Sequence, residues 1–279
     1  MLAWWADRKR DLPWRDARDP WAVLVSEAML QQTQVARVVP RYHAFLEQFP
    51  TPNACATSEL AEVVRAWAGL GYNRRAVGLH RAAVAIADDH GGSVPSSLDE
   101  LLALPGVGPY TARAVLAFAF DRDVGVVETN TARVLARTAG RPLAAREAQE
   151  RADAWVPPGQ GWAWNQALVD LGARLCRRAR PDCSQCPFTE RCVWRAAGCP
   201  EPDPIAGSAG VPGRQSRFAG SDRQGRGRLV DALRGGPVAT DRLAAAAGWP
   251  DDQERARRVA SSLVTDGLVS IDGDVLRLA

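Results

Sequence analysis

LPGVGPYTA, residues 104–112, lies between two apolar helical segments at 97–103 and 109–119. Gly106 and Gly108 let the chain turn tightly and bring backbone amides close to an anion. Pro109 fits the first turn of the following helix, where the donor it lacks would be unpaired anyway. The stretch therefore reads as a hairpin joining two helices, with free amide donors suited to a phosphate backbone and indifferent to base sequence. A plain helix-helix turn is the other reading of the same residues.

Outward from the hairpin, apolar residues recur with helical spacing and strand-like alternation is sparse. The pattern predicts helices at 2–9, 20–33, 35–48, 59–67 and 74–88 upstream, and at 129–138, 146–154 and 160–175 downstream. No internal repeat is evident.

Cys176, Cys183, Cys186 and Cys192 then follow as C-x6-C-x2-C-x5-C. Four thiolates within 17 residues can converge on one soft metal centre, and the unequal gaps let short loops wrap a cube. A 4Fe-4S cluster is the leading reading, with structural zinc or disulfides as the alternatives. The intervening CRRARPDCSQCPFTERC, residues 176–192, is arginine-rich, which suits phosphate contact better than electron delivery. Cys55 and Cys199 stand apart, as a helix-packing residue and a loop residue.

At 279 residues the chain can form one large domain or two smaller ones. Its 35 Lys and Arg against 32 Asp and Glu leave a net charge of +3, which argues for no partner by itself. Lys9 is the single lysine, and local arginine clusters carry more information: Arg74-Arg75, Arg174 to Arg180, and Arg223 to Arg228. Each reads equally as a DNA-backbone contact or as a solvated surface. The start, MLAWWADRKRDLPWR, lacks the apolar core of a signal peptide, and no apolar run reaches membrane-spanning length. A soluble, cytoplasmic monomer with no membrane partner is expected.

The domain limits expected from composition are 1–197, including the cysteine loop 176–192, a linker at 198–221 and a small domain at 222–279. The linker, GCPEPDPIAGSAGVPGRQSRFAGS, combines Gly, Pro and Ser with few core-forming residues and reads as extended. Beyond it, helices at 224–234, 239–247 and 252–266 precede apolar runs at 268–271 and 275–278, split by Asp272-Gly273-Asp274. The order resembles a winged helix. The acidic start of 252–266 favours a packing appendage over a DNA reader.

LPWR at 12–15, SEAMLQQTQV at 26–35, GLGY at 69–72, LPGVGPYTA, WNQALVDLGARLC at 164–176 and the cysteine array together resemble the helix-hairpin-helix base-excision glycosylases. Within them the likeness is to adenine DNA glycosylases of the MutY type, over roughly residues 1–195. The resemblance implies a mainly α fold of two helical lobes flanking a DNA-binding cleft, with the cluster loop, the small winged-helix-like domain being added at the C-terminus. It also implies excision of adenine from double-stranded DNA that contains a mispaired or damaged base.

Cleaving a purine from deoxyribose needs protonation of the base and stabilisation of positive charge on the sugar. Glu27 sits in apolar WAVLVSEAML, residues 21–30, where loss of hydration favours the acid form. The resemblance gives it the role of protonating adenine N7. In VVETNTARVLAR, residues 126–137, Glu128 stands where the family usually has an aspartate that stabilises or attacks the sugar. Its extra methylene keeps the charge and changes the reach, leaving open an adjusted enzyme, altered substrate choice or impaired chemistry. Read alone, Glu128 is a helix cap. Asn130 matches the family's asparagine and is expected to orient Glu27, or to cap the helix. Tyr110 takes the place of the lysine that bifunctional relatives use for strand cleavage, so base removal without a Schiff base is expected. Gln31 and Tyr72 match residues that wedge into the duplex beside the flipped base.

The chain also departs from the pattern. Asn73 follows GLGY where the family often has a second tyrosine, and no histidine occurs after His90, so the family's serine-histidine lesion-reading motif is not visible. The tail is too short and too helical for the Nudix-like domain that reads 8-oxoguanine in many relatives. Adenine opposite 8-oxoguanine or guanine is the leading substrate. A thymine or uracil mismatch glycosylase, and a DNA mismatch-binding protein without catalysis, remain the alternatives.

Overall fold

The structure, a computed structural model, describes residues 1–16, 18–211, 213 and 217–279. In chain order its helices are α1 Leu2–Ala6, α2 Pro13–Asp16, α3 Pro20–Leu30, α4 Val35–Gln48, α5 Pro52–Ala56, α6 Leu60–Ala66, α7 Arg74–Asp89, α8 Leu98–Ala103, α9 Pro109–Phe118, α10 Thr129–Ala139, α11 Ala145–Trp155, α12 Gly161–Arg174 and α13 Val193–Ala196. They continue with α14 Asp222–Gly235, strand β1 Val238–Ala239, α15 Leu243–Ala247, α16 Gln253–Thr265, β2 Val269–Asp272 and β3 Val275–Leu278. The mainly helical expectation holds. α2, α5 and α13 span only four or five residues, too short for a periodic signal to register. No helix among the described residues is long and apolar enough to cross a membrane.

The chain forms two compact units, residues 1–23 with 108–215 and residues 24–107 with 216–279, which cut differently from the limits read off composition. In the first unit α9, α10 and α1 pack on α12, and α11 packs on α10. Leu135, Leu143, Ala148 and Ala152 form one buried cluster, and Val134, Leu168 and Leu171 another. Gly172 of α12 is required by close approach: a Cβ there would lie 2.5 Å from the Asn130 carbonyl oxygen.

At the centre of α12 the carboxylate of Asp170 is fully buried. It accepts from both terminal nitrogens of Arg15 at 2.8 Å, from Trp5 Nε1 at 2.9 Å, and from Arg10. That clamp ties the LPWR segment to the ALVDLG segment, two of the stretches that carry the family likeness. The expected linker is packed in its first half. Ile205 is buried, Leu143 N donates to Ser208 Oγ at 3.1 Å, and Asp203 pairs with Arg137 at 2.6 Å. Composition suggested an extended chain because these residues anchor through hydrogen bonds rather than apolar bulk.

In the second unit α5 and α6 pack on α7, whose Ala76, Val77, Leu79, Ala82, Ala83 and Ile86 supply the buried stripe. Ser97 caps α8, its Oγ accepting from Glu100 N at 3.3 Å and donating to the Glu100 carboxylate. α3 ends at Leu30, three residues short of expectation, because Gln32 turns left-handed at φ +56°. In residues 222–279, α14, α15 and α16 pack together beside an antiparallel sheet ordered β1-β3-β2. Val238 pairs with Leu276, and Val269 with Leu278. The helix expected at 239–247 is shorter because Val238–Ala239 joins the sheet and Thr240 N donates to Asp274 O at 2.8 Å. α14 and β3 also pack on α6.

Candidate functional site

Glu128 caps α10. Its Oε1 accepts from Thr131 N at 2.8 Å, and its Oε2 accepts from Asn130 Nδ2 at 2.9 Å. The longer side chain thus curls back onto the first turn of its own helix, so the capping role is real and leaves the charge at a helix N-terminus. Loss of hydration nevertheless raises its pKa above the ordinary glutamate value, against the lowering effect of Asn130, Thr131 and the charge of Arg133. Asn165 of α12 fixes the approach to this corner: its Oδ1 accepts from Val126 N at 2.8 Å and its Nδ2 donates to Val124 O at 2.8 Å.

Asn130 was expected to orient Glu27 or to cap the helix, and its contacts within this unit serve the second role, through the capping Glu128. Its amide nitrogen goes to Glu128, and its Oδ1 accepts from Arg133 Nη2 at 2.7 Å. Arg133 continues to the carbonyl oxygens of Gly172 at 2.7 Å and Cys176 at 3.0 Å. A chain of polar contacts therefore runs from Glu128 through Asn130 and Arg133 to the backbone of the first array cysteine. Tyr110 is the second residue of α9 in the same unit.

Cys176, Cys183, Cys186 and Cys192 line one cavity with Val134, Arg137 and Trp194. Arg137 is 2% exposed and donates to Cys176 Sγ at 3.3 Å, to Arg177 O at 2.8 Å and to the Asp203 carboxylate. Among the described residues no three His, Cys, Asp or Glu side chains are drawn together as around a single ion. Four soft donors lining one cavity suit a soft metal centre. Burial pushes the Cys186 thiol up to about 11 and raises Cys183 and Cys192 as well. Cys199 presses electrostatically on Cys183 and Cys192, so it lies nearer the array than its sequence position suggested. Cys55 is fully buried in α5, the packing residue expected, with its thiol pushed up to about 12.

Sequence reasoning missed Arg133, Arg137 and Asp170. The two arginines are spaced i, i+4 along α10, a pattern that ordinarily marks a solvated helix face and here marks the interior.

In the second unit Glu27 is 4% exposed within α3, the dehydrated setting its apolar flanks implied. Arg75 was expected to contact DNA, and its donors are spent internally. Nη1 serves Ala28 O, Met29 O and Gln31 O at 2.6–2.8 Å, and Nη2 serves Leu70 O, Gly71 O and Thr33 Oγ1 at 2.9–3.2 Å. One guanidinium thereby joins the end of α3, including the backbone of Gln31, to the GLGY loop. Tyr72 is 42% exposed and left-handed at φ +45°, with the Arg75 guanidinium 5.5 Å from its ring centre. Arg74 is exposed and pairs with Asp266 at 3.5 Å. Gly106 is left-handed at φ +77°, and a Cβ there would lie 3.0 Å from Gly78 Cα of α7. Gly108, expected to share that conformational demand, does not: it is extended at φ −97° as the N-cap of α9.

The model of the HhH-GPD superfamily base excision DNA repair proteins matches residues 25–158. The adenine DNA glycosylase of Mycolicibacterium smegmatis is 43% identical over 98% of this chain and 92% of its own length. That of Homo sapiens is 40% identical over 70% of this chain and 38% of its own length. Among solved structures, a thermostable thymine-DNA glycosylase superposes with a TM-score of 0.67 at 31% identity, covering 70% of this chain and 93% of that one. The chain belongs to the HhH-GPD superfamily of base-excision repair proteins, and within it to the adenine DNA glycosylases.

Proposed function

We propose that the protein hydrolyses the N-glycosidic bond of adenine mispaired with 8-oxoguanine or guanine in double-stranded DNA. The observation that carries this reading is the partly dehydrated Glu128 carboxylate, held on neutral donors at the head of α10. Glu27 donates its proton to adenine N7, and the C1′–N9 bonding pair leaves with the base. The Glu128 carboxylate stabilises the positive charge that develops on the sugar. Water then adds to C1′ and loses a proton, giving free adenine and an abasic site. Tyr110 has no amine to form a Schiff base, so the strand stays intact; the phenol serves to position Glu27 or water.

Exposed Arg74 and the amides of the Gly106–Gly108 hairpin serve as phosphate contacts, while Gln31 and Tyr72 fill the space left by the flipped base. Arg75 belongs to this machinery by shaping the loop. Cys176, Cys183, Cys186 and Cys192 would hold a 4Fe-4S cluster, which when bound crosslinks the arginine-rich loop and carries no redox turnover. Arg137 lies against that site from the protein side.

Single-turnover base release tests the proposal on duplexes with adenine opposite 8-oxoguanine, guanine or thymine, using cluster-loaded protein beside Glu27→Gln. Rapid adenine release that depends on Glu27 is expected. The 31% identity to a thymine-DNA glycosylase gives a second reading, thymine or uracil excision from mismatches. Release of thymine or uracil in place of adenine would install that reading, and tight mismatch binding without any release would leave a noncatalytic binder.

A further inference from the structure

The GLGY loop is conformationally costly. Gly69, Gly71 and Tyr72 all have positive φ, at +84°, +68° and +45°, and a tyrosine in that region persists only where its surroundings hold it. One restraint is the Arg75 guanidinium. A second comes from residues 222–279.

Arg234, at the end of α14, has a side chain only 12% exposed. It donates from Nε to Val64 O of α6 at 3.1 Å and from Nη2 to Asn73 Oδ1 at 2.8 Å, and Asp231 pairs with its remaining terminal nitrogen. Asp266, beyond α16, accepts from Arg226 and pairs with Arg74. The C-terminal segment therefore grips both residues that follow Tyr72. The exposed Arg74 pair contributes little, whereas the charge-assisted bond from a mostly buried guanidinium to Asn73 fixes direction as well as distance. Asn73 stands where the family pattern often places a second tyrosine. A stacking surface is lost there, and in its place is an acceptor matched to a donor from the tail.

We propose that residues 222–279, read as a winged-helix-like module, brace the Tyr72 loop, with Arg234 as a positioning residue that acts through Asn73 to set mismatch selectivity. The inference rests on the reading of Tyr72 as the duplex wedge and adds to it a role for the tail. It requires no DNA contact by the module.

Binding of the full chain separates the brace from the chemistry. Dissociation constants are measured for a duplex bearing 2′-fluoro-2′-deoxyadenosine, whose sugar resists cleavage, opposite 8-oxoguanine, and for a fully paired duplex. The ratio of the fully paired constant to the mismatch constant is compared in wild type, Arg234→Ala, Asn73→Ala, Tyr72→Ala and the Arg234→Ala/Tyr72→Ala double variant. The two brace variants should each lower the ratio about tenfold, the scale of one charge-assisted bond. Asn73→Ala leaves the module untouched, so it reads the contact even if Arg234→Ala loosens the tail. In the Tyr72→Ala background, Arg234→Ala should have no further effect. Independent losses in the double variant, an unchanged ratio in Asn73→Ala, or an unchanged ratio in Tyr72→Ala would each overturn the brace. A wild-type chain that releases no adenine would overturn the proposed function instead, while the binding ratio would still read the brace.

Discussion

Asp170 in α12 and Glu128 at the head of α10 lie in the same unit, and their surroundings move their acidities in opposite directions. Burial alone would raise both. At Asp170 that effect is overcome by direct contact with the Arg15 guanidinium, helped by Trp5 and Arg10, and the carboxyl ends below its ordinary range. At Glu128 the contacting donors are neutral, and Arg133 touches Asn130 rather than the carboxylate. Dehydration wins there. Formal charges in contact make a structural anchor, while dipoles with the charge one side chain removed leave a carboxylate whose protonation is still available to chemistry.

The largest effect expected is on folding. Asp170→Asn leaves the buried Arg15 without its counter-charge, which costs about 3–5 kcal/mol for a broken buried pair. Urea unfolding at neutral pH measures it. Because the folded-state pKa is lowered, the contribution is complete above the unfolded carboxylate value of about 3.9 and fades as pH falls through the lower folded value. Wild type and variant should therefore converge in acid, and a gap that stays constant across that range would refute the charge-pair account.

Next in size is the loss of chemistry. Glu128→Gln keeps the shape and removes the charge, and single-turnover adenine release should fall about 100-fold or more. Glu128→Asp keeps the charge with a shorter reach and should lose less. If Glu128→Gln reacts as fast as wild type, the residue is a helix cap only.

The difference between the two carboxylates was only half legible in the sequence. Glu128 stood out because it falls where the resembled family has an aspartate, and Glu27 because its flanks are apolar. Arg133, the charge that tunes Glu128, was hidden, since with Arg137 at i, i+4 it looks like a solvated face until α12 and the cysteine loop close over the pair. Asp170 was hidden for a related reason: its partner Arg15 lies 155 residues away. Arg75 was misread because its acceptors are backbone carbonyls, which leave no trace in residue identity. Side-chain chemistry within one helix could be read; satisfaction across tertiary distance could not.

A smaller effect tests the remote charge. Arg133 lowers the pKa of Glu128, so Arg133→Gln should raise it further. The acid limb of the pH–rate profile then moves to higher pH, with a loss of a few-fold, roughly, at neutral pH. Arg133→Lys keeps the charge and should keep the limb in place, even though it cannot reproduce the contacts to Gly172 and Cys176. An unmoved limb in Arg133→Gln would mean that the contacting dipoles alone set the acidity.

The smallest effect has the opposite sign from the first. A carboxyl whose pKa is raised on folding favours the native state only while protonated. Its contribution is greatest below the unfolded glutamate value of about 4.3 and is lost as pH rises through the folded value. Above that value the ionised Glu128 therefore opposes folding. Glu128→Gln can still accept from Thr131 N and cap α10 without that charge, so the catalytically disabled variant should be more stable than wild type by on the order of 0.5–1 kcal/mol. Thermal melting at neutral pH would detect the gain, and it should shrink in acid as wild-type Glu128 takes up its proton. Asp170→Asn and Glu128→Gln are the same change of charge in the same unit. Opposite signs at neutral pH would establish that one carboxylate serves the fold and that the other is tolerated at its expense.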